Sequence, residues 1–130
     1  MAHLVHDGRR AALTVPKSGQ VLCRFDSIAD PGGKGFVFGE GAERREMFVV
    51  RRGAEIFGYV NSCPHIGTTL DWRPDRFLTF DKRFILCGTH GAIFAIDSGL
   101  CLKGPCAGKS LTPIPINRVG GNVILGVDLN

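Results

Sequence analysis

Two short stretches constrain this chain more than anything else in it: "NSCPHIGTTLDW" at 61–72 and "ILCGTHGAIF" at 85–94. The first holds Cys63-x-His65; after twenty-one intervening residues the second holds Cys87-x-x-His90. A glycine follows each histidine, Gly91 directly and Gly67 after one residue. Neither pattern suits a helix or a strand. Both suit a tight loop, where glycine allows positive φ and a close backbone approach and amides can turn toward an anion. Two thiolates and two imidazoles make a borderline-soft donor set, which points to zinc or an iron–sulfur cluster. Structural zinc sites usually group like ligands in C-x2-C or H-x3-H pairs, whereas each loop here supplies one of each kind. Two such loops can put both thiolates on one iron and both imidazoles on a second.

The remainder of the chain has to hold these loops. Its 130 residues amount to one domain, and a hydrophobic content of 44% is enough for a core. Eighteen glycines, about twice the usual share, break the apolar runs into short pieces. Short runs between frequent turns predict an all-β, antiparallel fold with no helix of about ten residues. A strand is expected over 21–28, and "REMFVVRR" and "EIFGYVN" read as a hairpin around Gly53-Ala54. "FILC" should feed the second loop. "AIFAIDSGLCLK" should give two short strands around Asp97-Ser98-Gly99, and "LTPIPINRVGGNVILGVDLN" a strand, a Gly-Gly turn and a strand. Between the two Cys/His stretches runs a long polar excursion in which Trp72 is expected to cap the loop onto the core. Residues 1–18 lack periodicity and read as a loosely attached arm, with His3 and His6 inert.

Charge and cysteine use narrow the function classes. The net charge is +4, but basic pairs such as Arg44-Arg45 sit among acidic residues. That describes a mixed, solvated surface, not a nucleic-acid stripe. No apolar run approaches the ~20 residues needed to span a bilayer, and no secretory core opens the chain. A cytoplasmic protein without membrane or nucleic-acid partners is expected. Five cysteines, at 23, 63, 87, 101 and 106, favour metal binding or burial over a disulfide framework in a reducing compartment. Cys23 reads as a small core residue. Cys101 and Cys106 read as packing residues, with a mutual disulfide as the lesser alternative.

"CPHIG…CGTHGAIF" resembles the Rieske cluster-binding motif, C-x-H-x-G followed by C-x-x-H-G. "DSGLCLKGPC" resembles the strand and Pro-containing loop that close over the cluster in that family. The likeness runs from about 21 to 128. It implies a Rieske-like fold in one domain over 19–130: a base of antiparallel sheets (19–60 plus 109–130) with an inserted cluster-binding subdomain at about 61–108. It also implies one [2Fe–2S] cluster per chain, with Cys63 and Cys87 on the inner iron and His65 and His90 on the outer iron, near the surface. Rieske proteins of respiratory complexes carry a second cysteine in each loop, joined as a disulfide; Thr68 and Thr89 stand there in this chain. Ala92 and Phe94 replace a Ser and a Tyr that donate hydrogen bonds to the cluster in that branch. Without those donors the expected reduction potential lies in the lower third of the Rieske range of about −150 to +300 mV.

The resemblance is therefore to the soluble ferredoxin branch. It implies a one-electron carrier with no catalytic residues, running between a reductase and a terminal acceptor such as a ring-hydroxylating oxygenase. Ile66, Trp72, Ile93 and Pro105, with Arg73 and Lys103 at the rim, are expected to set partner choice. Two alternatives remain open: a small subunit of a larger reductase such as nitrite reductase, and a zinc-stapled interaction module.

Overall fold

The computed structural model describes residues 17–64 and 67–129. His65, Ile66 and residues 1–16, nearly all of the expected arm, lie outside the described residues. Among the described residues nine strands follow one another: β1 (Val21–Arg24), β2 (Gly32–Phe38), β3 (Arg45–Arg52), β4 (Glu55–Val60), β5 (Ile85–Leu86), β6 (Ile93–Phe94), β7 (Cys101–Lys103), β8 (Ile116–Val119) and β9 (Asn122–Leu125). They form three antiparallel sheets, ordered β1-β9-β8, β2-β3-β4 and β5-β6-β7. Among the described residues there is no α-helix, and no helix long and apolar enough to cross a membrane. The fold is all-β, as the turn density predicts.

The unbroken apolar run in β3 shows how the sheets stack. Successive strand residues point to opposite faces, so Met-Phe-Val-Val can only be buried throughout if both faces are covered. They are. Met47 and Val49 join one core with Leu22, Cys23, Phe36, Phe38, Val123 and Leu125. Phe48 and Val50 join another with Cys63, Leu70, Phe77, Cys87, Phe94, Cys101 and Cys106. The β2-β3-β4 sheet is thus a wall between two cores. Cys23 falls on one side, and the other four cysteines fall on the other.

Turn chemistry sets the hairpins. Arg52 pairs with Glu55 across Gly53-Ala54, with Gly53 at φ +63. Val119 pairs with Asn122 across Gly120-Gly121, where positive φ at both residues suits the tight two-residue hairpin. The strand expected over 21–28 stops at Arg24, because a 3-10 turn (Phe25–Ser27) tucks Phe25 into the core. The strand expected from Leu111 begins only at Ile116. Pro113 and Pro115 lack the N–H that a continuous ladder needs. Even so, 112–114 lies along β4, with Val60 N–H donating to Thr112 O at 2.9 Å and Ile114 N–H to Gly58 O at 2.8 Å.

The excursion is less polar in space than in sequence. Phe77 is 1% exposed and stacks on Phe48, with ring centroids 4.3 Å apart and planes 6° apart. It lies over Gly33, where an added Cβ would stand 3.0 Å from its ring. The Asp75 carboxylate accepts a hydrogen bond from Gly35 N–H on the β2 edge at 2.7 Å. Phe77, not Trp72, is the main anchor; Trp72 is 37% exposed, with its ring edge-on to Phe80.

Candidate metal centre

The two Cys/His loops share the same pair of main-chain hydrogen bonds. Cys63 N–H donates to Thr68 O at 2.7 Å, and Gly67 N–H to Cys63 O at 2.8 Å. Cys87 N–H donates to Ala92 O at 2.9 Å, and Gly91 N–H to Cys87 O at 2.9 Å. In each loop the glycine follows the cysteine by four positions and turns the chain at positive φ, +80 for Gly67 and +74 for Gly91. The sequence makes the loops look unequal only because the histidine is counted. It occupies the second position after Cys63 and the third after Cys87, within one shared frame.

Different supports hold the two loops. The second is a link between β5 and β6, which pair at Leu86 and Ile93. The first leaves β4 and returns to no strand; a buried side chain closes it. Asn61, 3% exposed, accepts from Leu70 N–H at 2.8 Å and donates to the Asp71 carboxylate at 3.2 Å. Its own N–H donates to Glu46 O. Gly88 ties the loops together: its N–H donates to Leu70 O at 2.8 Å, and a Cβ there would meet Trp72 Cβ at 2.5 Å. A hydrogen bond 2.6 Å long, from the Tyr59 hydroxyl on β4 to Ile96 O beyond β6, joins their supports.

A third loop closes over both. After β7 the chain turns through Gly104-Pro105-Cys106-Ala107-Gly108. Gly104, at φ +111, comes so close to the second loop that a Cβ would lie 2.9 Å from Ala92 Cα. Cys106 lies against the first loop's cysteine. Its thiol is pushed up to about 12, first by burial, then by the hydrogen bond and charge of Cys101, then by the charge and hydrogen bond of Cys63. The Cys106 thiol donates to Cys101 Sγ at 2.9 Å, and none of the five cysteines is in a disulfide.

Of the expected ligands, the thiols of Cys63 and Cys87 are buried at 2% and 0% exposure, while His90 is exposed. His65 lies outside the described residues. Among the described residues no three His, Cys, Asp or Glu side chains gather as for a single ion. A two-iron cluster shares its ligands in pairs between two irons and needs no such triple. Two buried soft donors on matched loops, with an imidazole turned outward, fit that division. So does the Thr68 hydroxyl, which is buried in the first loop with no hydrogen-bond partner and so could face an acceptor such as a cluster sulfur. Ala92 and Phe94, both fully buried, offer no side-chain donor. Sequence reasoning missed Asn61, Phe77, the orphaned Thr68 hydroxyl and the exposed Phe80. Only Asn61 had a local signal, as a polar residue closing an apolar strand.

Short antiparallel sheets presenting two matched Cys/His loops beneath a third loop define a class of small β-proteins built around a metal centre. This chain belongs to the Rieske [2Fe-2S] domain family, whose model matches residues 18–118. The cofactor of that family is a [2Fe–2S] cluster. No curated protein matches the sequence. Among solved structures, the chain is similar to the ferredoxin of carbazole 1,9a-dioxygenase from Nocardioides aromaticivorans IC177, at 18% identity and a TM-score of 0.67, over 85% of this chain and 99% of that one. It is similar to a chain in a complex of reduced oxygenase and oxidized ferredoxin in carbazole 1,9a-dioxygenase, at 21% identity and a TM-score of 0.68, over 88% and 98%. It also matches the terminal oxygenase of carbazole 1,9a-dioxygenase from Novosphingobium sp. KA1, at 18% identity and a TM-score of 0.70, over 89% of this chain but 31% of that one. At these identities the likeness is one of fold.

Proposed function

We propose that the chain is a Rieske-type ferredoxin, a one-electron carrier between a reductase and a terminal oxygenase. Cys63 and Cys87 would hold the inner iron of its cluster, and His65 and His90 the outer iron. The observation that carries this reading is the shared frame of the two loops, with both thiols buried and His90 exposed. When bound, the cluster supplies a site that stores one electron. Two thiolates balance the +2 charge of its oxidised core and neutral imidazoles add nothing, so reduction takes the site only from neutral to −1. The protein's task is to keep water from the thiolate side and to leave the imidazole side open to a partner. Trp72, Arg73, Lys103 and Pro105 are exposed and suit a docking rim, with Ile93 half-buried beside them; Ile66 lies outside the described residues.

Similarity to a solved ferredoxin over 99% of its length supports the carrier role. It also supports dividing the chain into a base (19–60 plus 109–130) and a cluster-binding subdomain at about 61–108. Five cysteines without a disulfide suit a reducing, cytoplasmic setting. The test is the purified protein itself. Two irons and two acid-labile sulfides per chain, with a brown colour that bleaches on reduction, are expected. A colourless protein carrying one zinc would overturn the reading.

A further inference from the structure

Cys101 and Cys106 are not needed as ligands in the reading above, yet their sulfurs lie 2.9 Å apart in the same buried cluster as Cys63, which Cys106 also contacts. We propose that Cys101 and Cys106 are a redox-active dithiol that closes to a disulfide against the ligand cysteine Cys63. The dithiol itself stands on its own geometry; only its effect on the cluster rests on the function proposed above.

The backbone holds the pair ready. Cys101 N–H donates to Lys109 O at 2.7 Å and Gly108 N–H to Cys101 O at 3.2 Å. Lys109 N–H donates to Cys106 O at 2.9 Å. Both cysteines are therefore pinned from the same short return of chain, with their sulfurs 2.9 Å apart. A disulfide needs about 2.05 Å, a closure on the scale of side-chain rotation. The sulfurs are buried, but only one layer of chain covers them: Leu102, Lys103, Gly104, Pro105, Ala107 and Gly108 are all exposed. A core position for packing alone needs no second thiol within bonding reach of the first.

The reaction is thiol–disulfide exchange with a small disulfide of the glutathione class. One thiolate attacks that disulfide, giving a mixed disulfide and releasing one reduced thiol. The second protein thiol then displaces the other half. Two S–H bonds break and one S–S bond forms in the protein; two electrons and two protons end on the small molecule, whose own S–S bond is cleaved. Closure removes the Cys106 S–H from beside Cys63, so the cluster potential should differ between the two forms.

The test uses holoprotein equilibrated anaerobically across a series of reduced and oxidised glutathione mixtures, then acid-quenched, alkylated with N-ethylmaleimide and mapped by mass spectrometry. Cluster absorbance is followed before the quench. The expected result is loss of both alkylation sites together, at Cys101 and Cys106, with absorbance retained and dithiothreitol restoring both sites. The midpoint potential should shift between the closed and open forms. Cys23→Ser should behave as wild type, and Cys106→Ser should lose the paired transition. Both sites staying alkylatable in the most oxidising mixture would overturn the proposal, as would a Cys63–Cys106 disulfide forming with loss of absorbance. Absence of absorbance from the start would refute the function reading, while the thiol map would still decide for or against the dithiol.

Discussion

The two Cys/His loops share one pair of main-chain hydrogen bonds and differ in their support. The loop at 87–92 is a β-link, fixed at both ends by strands. The loop at 63–68 is fixed at one end by a strand and at the other by the Asn61 side chain. A frame written in main-chain hydrogen bonds can therefore be held by sheet or by a side-chain amide together with a neighbouring loop. The support, not the frame, should decide how each loop fails.

The largest effect should erase the difference between the loops. Cys63→Ser and Cys87→Ser should each abolish or rearrange the cluster, while Cys23→Ser, across the central sheet, leaves two irons and two sulfides per chain. Metal and sulfide analysis of the three variants checks this. Next, Gly88→Ala should break the tie between the loops, because its Cβ would press on the backbone and Cβ of Trp72. Overpacking of that kind costs about 2–3 kcal/mol, read by urea denaturation. Asn61→Ala should loosen the first loop alone, leaving Leu70 N–H without its acceptor at a cost of about 1–3 kcal/mol. Hydrogen exchange should then quicken at Leu70 and not at Cys87, whose N–H is bonded in the second loop; equal change in both loops would argue against separate supports.

Tyr59, which joins the two supports, should matter less. Tyr59→Phe removes one hydrogen bond, about 1 kcal/mol. Burial first, then the Asp97 charge, raise its pKa to about 12, with Arg52 opposing. A raised folded pKa means this contribution is whole below about pH 10 and is lost as pH climbs toward 12. As the chain's one tyrosine, it can be followed by absorbance and should ionise early only on unfolding. The smallest effect tests the position where the loops differ in chemistry, Thr68 against Ala92. Thr68→Val should lower the reduction potential by some tens of millivolts, since 59 mV per electron corresponds to about 1.4 kcal/mol. Ala92→Ser should raise it by a similar amount. No shift in either variant would show that backbone amides alone set the potential.

What was legible in the sequence was local. Glycine marked the hairpins at Gly53-Ala54 and Gly120-Gly121, and the Cys/His order marked both loops. What was not legible depends on distant partners. Nothing near Phe77 tells that Gly33 and Phe48 wait for it across the sheet, so a polar-looking segment hid its anchor. The end of β1 at Arg24 follows from Phe25 finding a core pocket, which alternation alone does not reveal. Cys101 and Cys106 looked like ordinary packing residues because their closeness to each other, and that of Cys106 to Cys63, is set by the third loop, far along the chain from the first.

The fixed interval from cysteine to glycine also governs how such a chain can change length. Within 63–68 or 87–92 two main-chain bonds span a set number of atoms, so a single inserted or deleted residue breaks the ring, whereas a histidine can trade places with its neighbour inside it. The segment between the rings is pinned chiefly at Asp75 and Phe77 and ends in an exposed hairpin tip at Phe80. Gains and losses of chain should collect at that tip, and an alignment anchored on cysteine and glycine, not on histidine, will superpose the two rings without a gap.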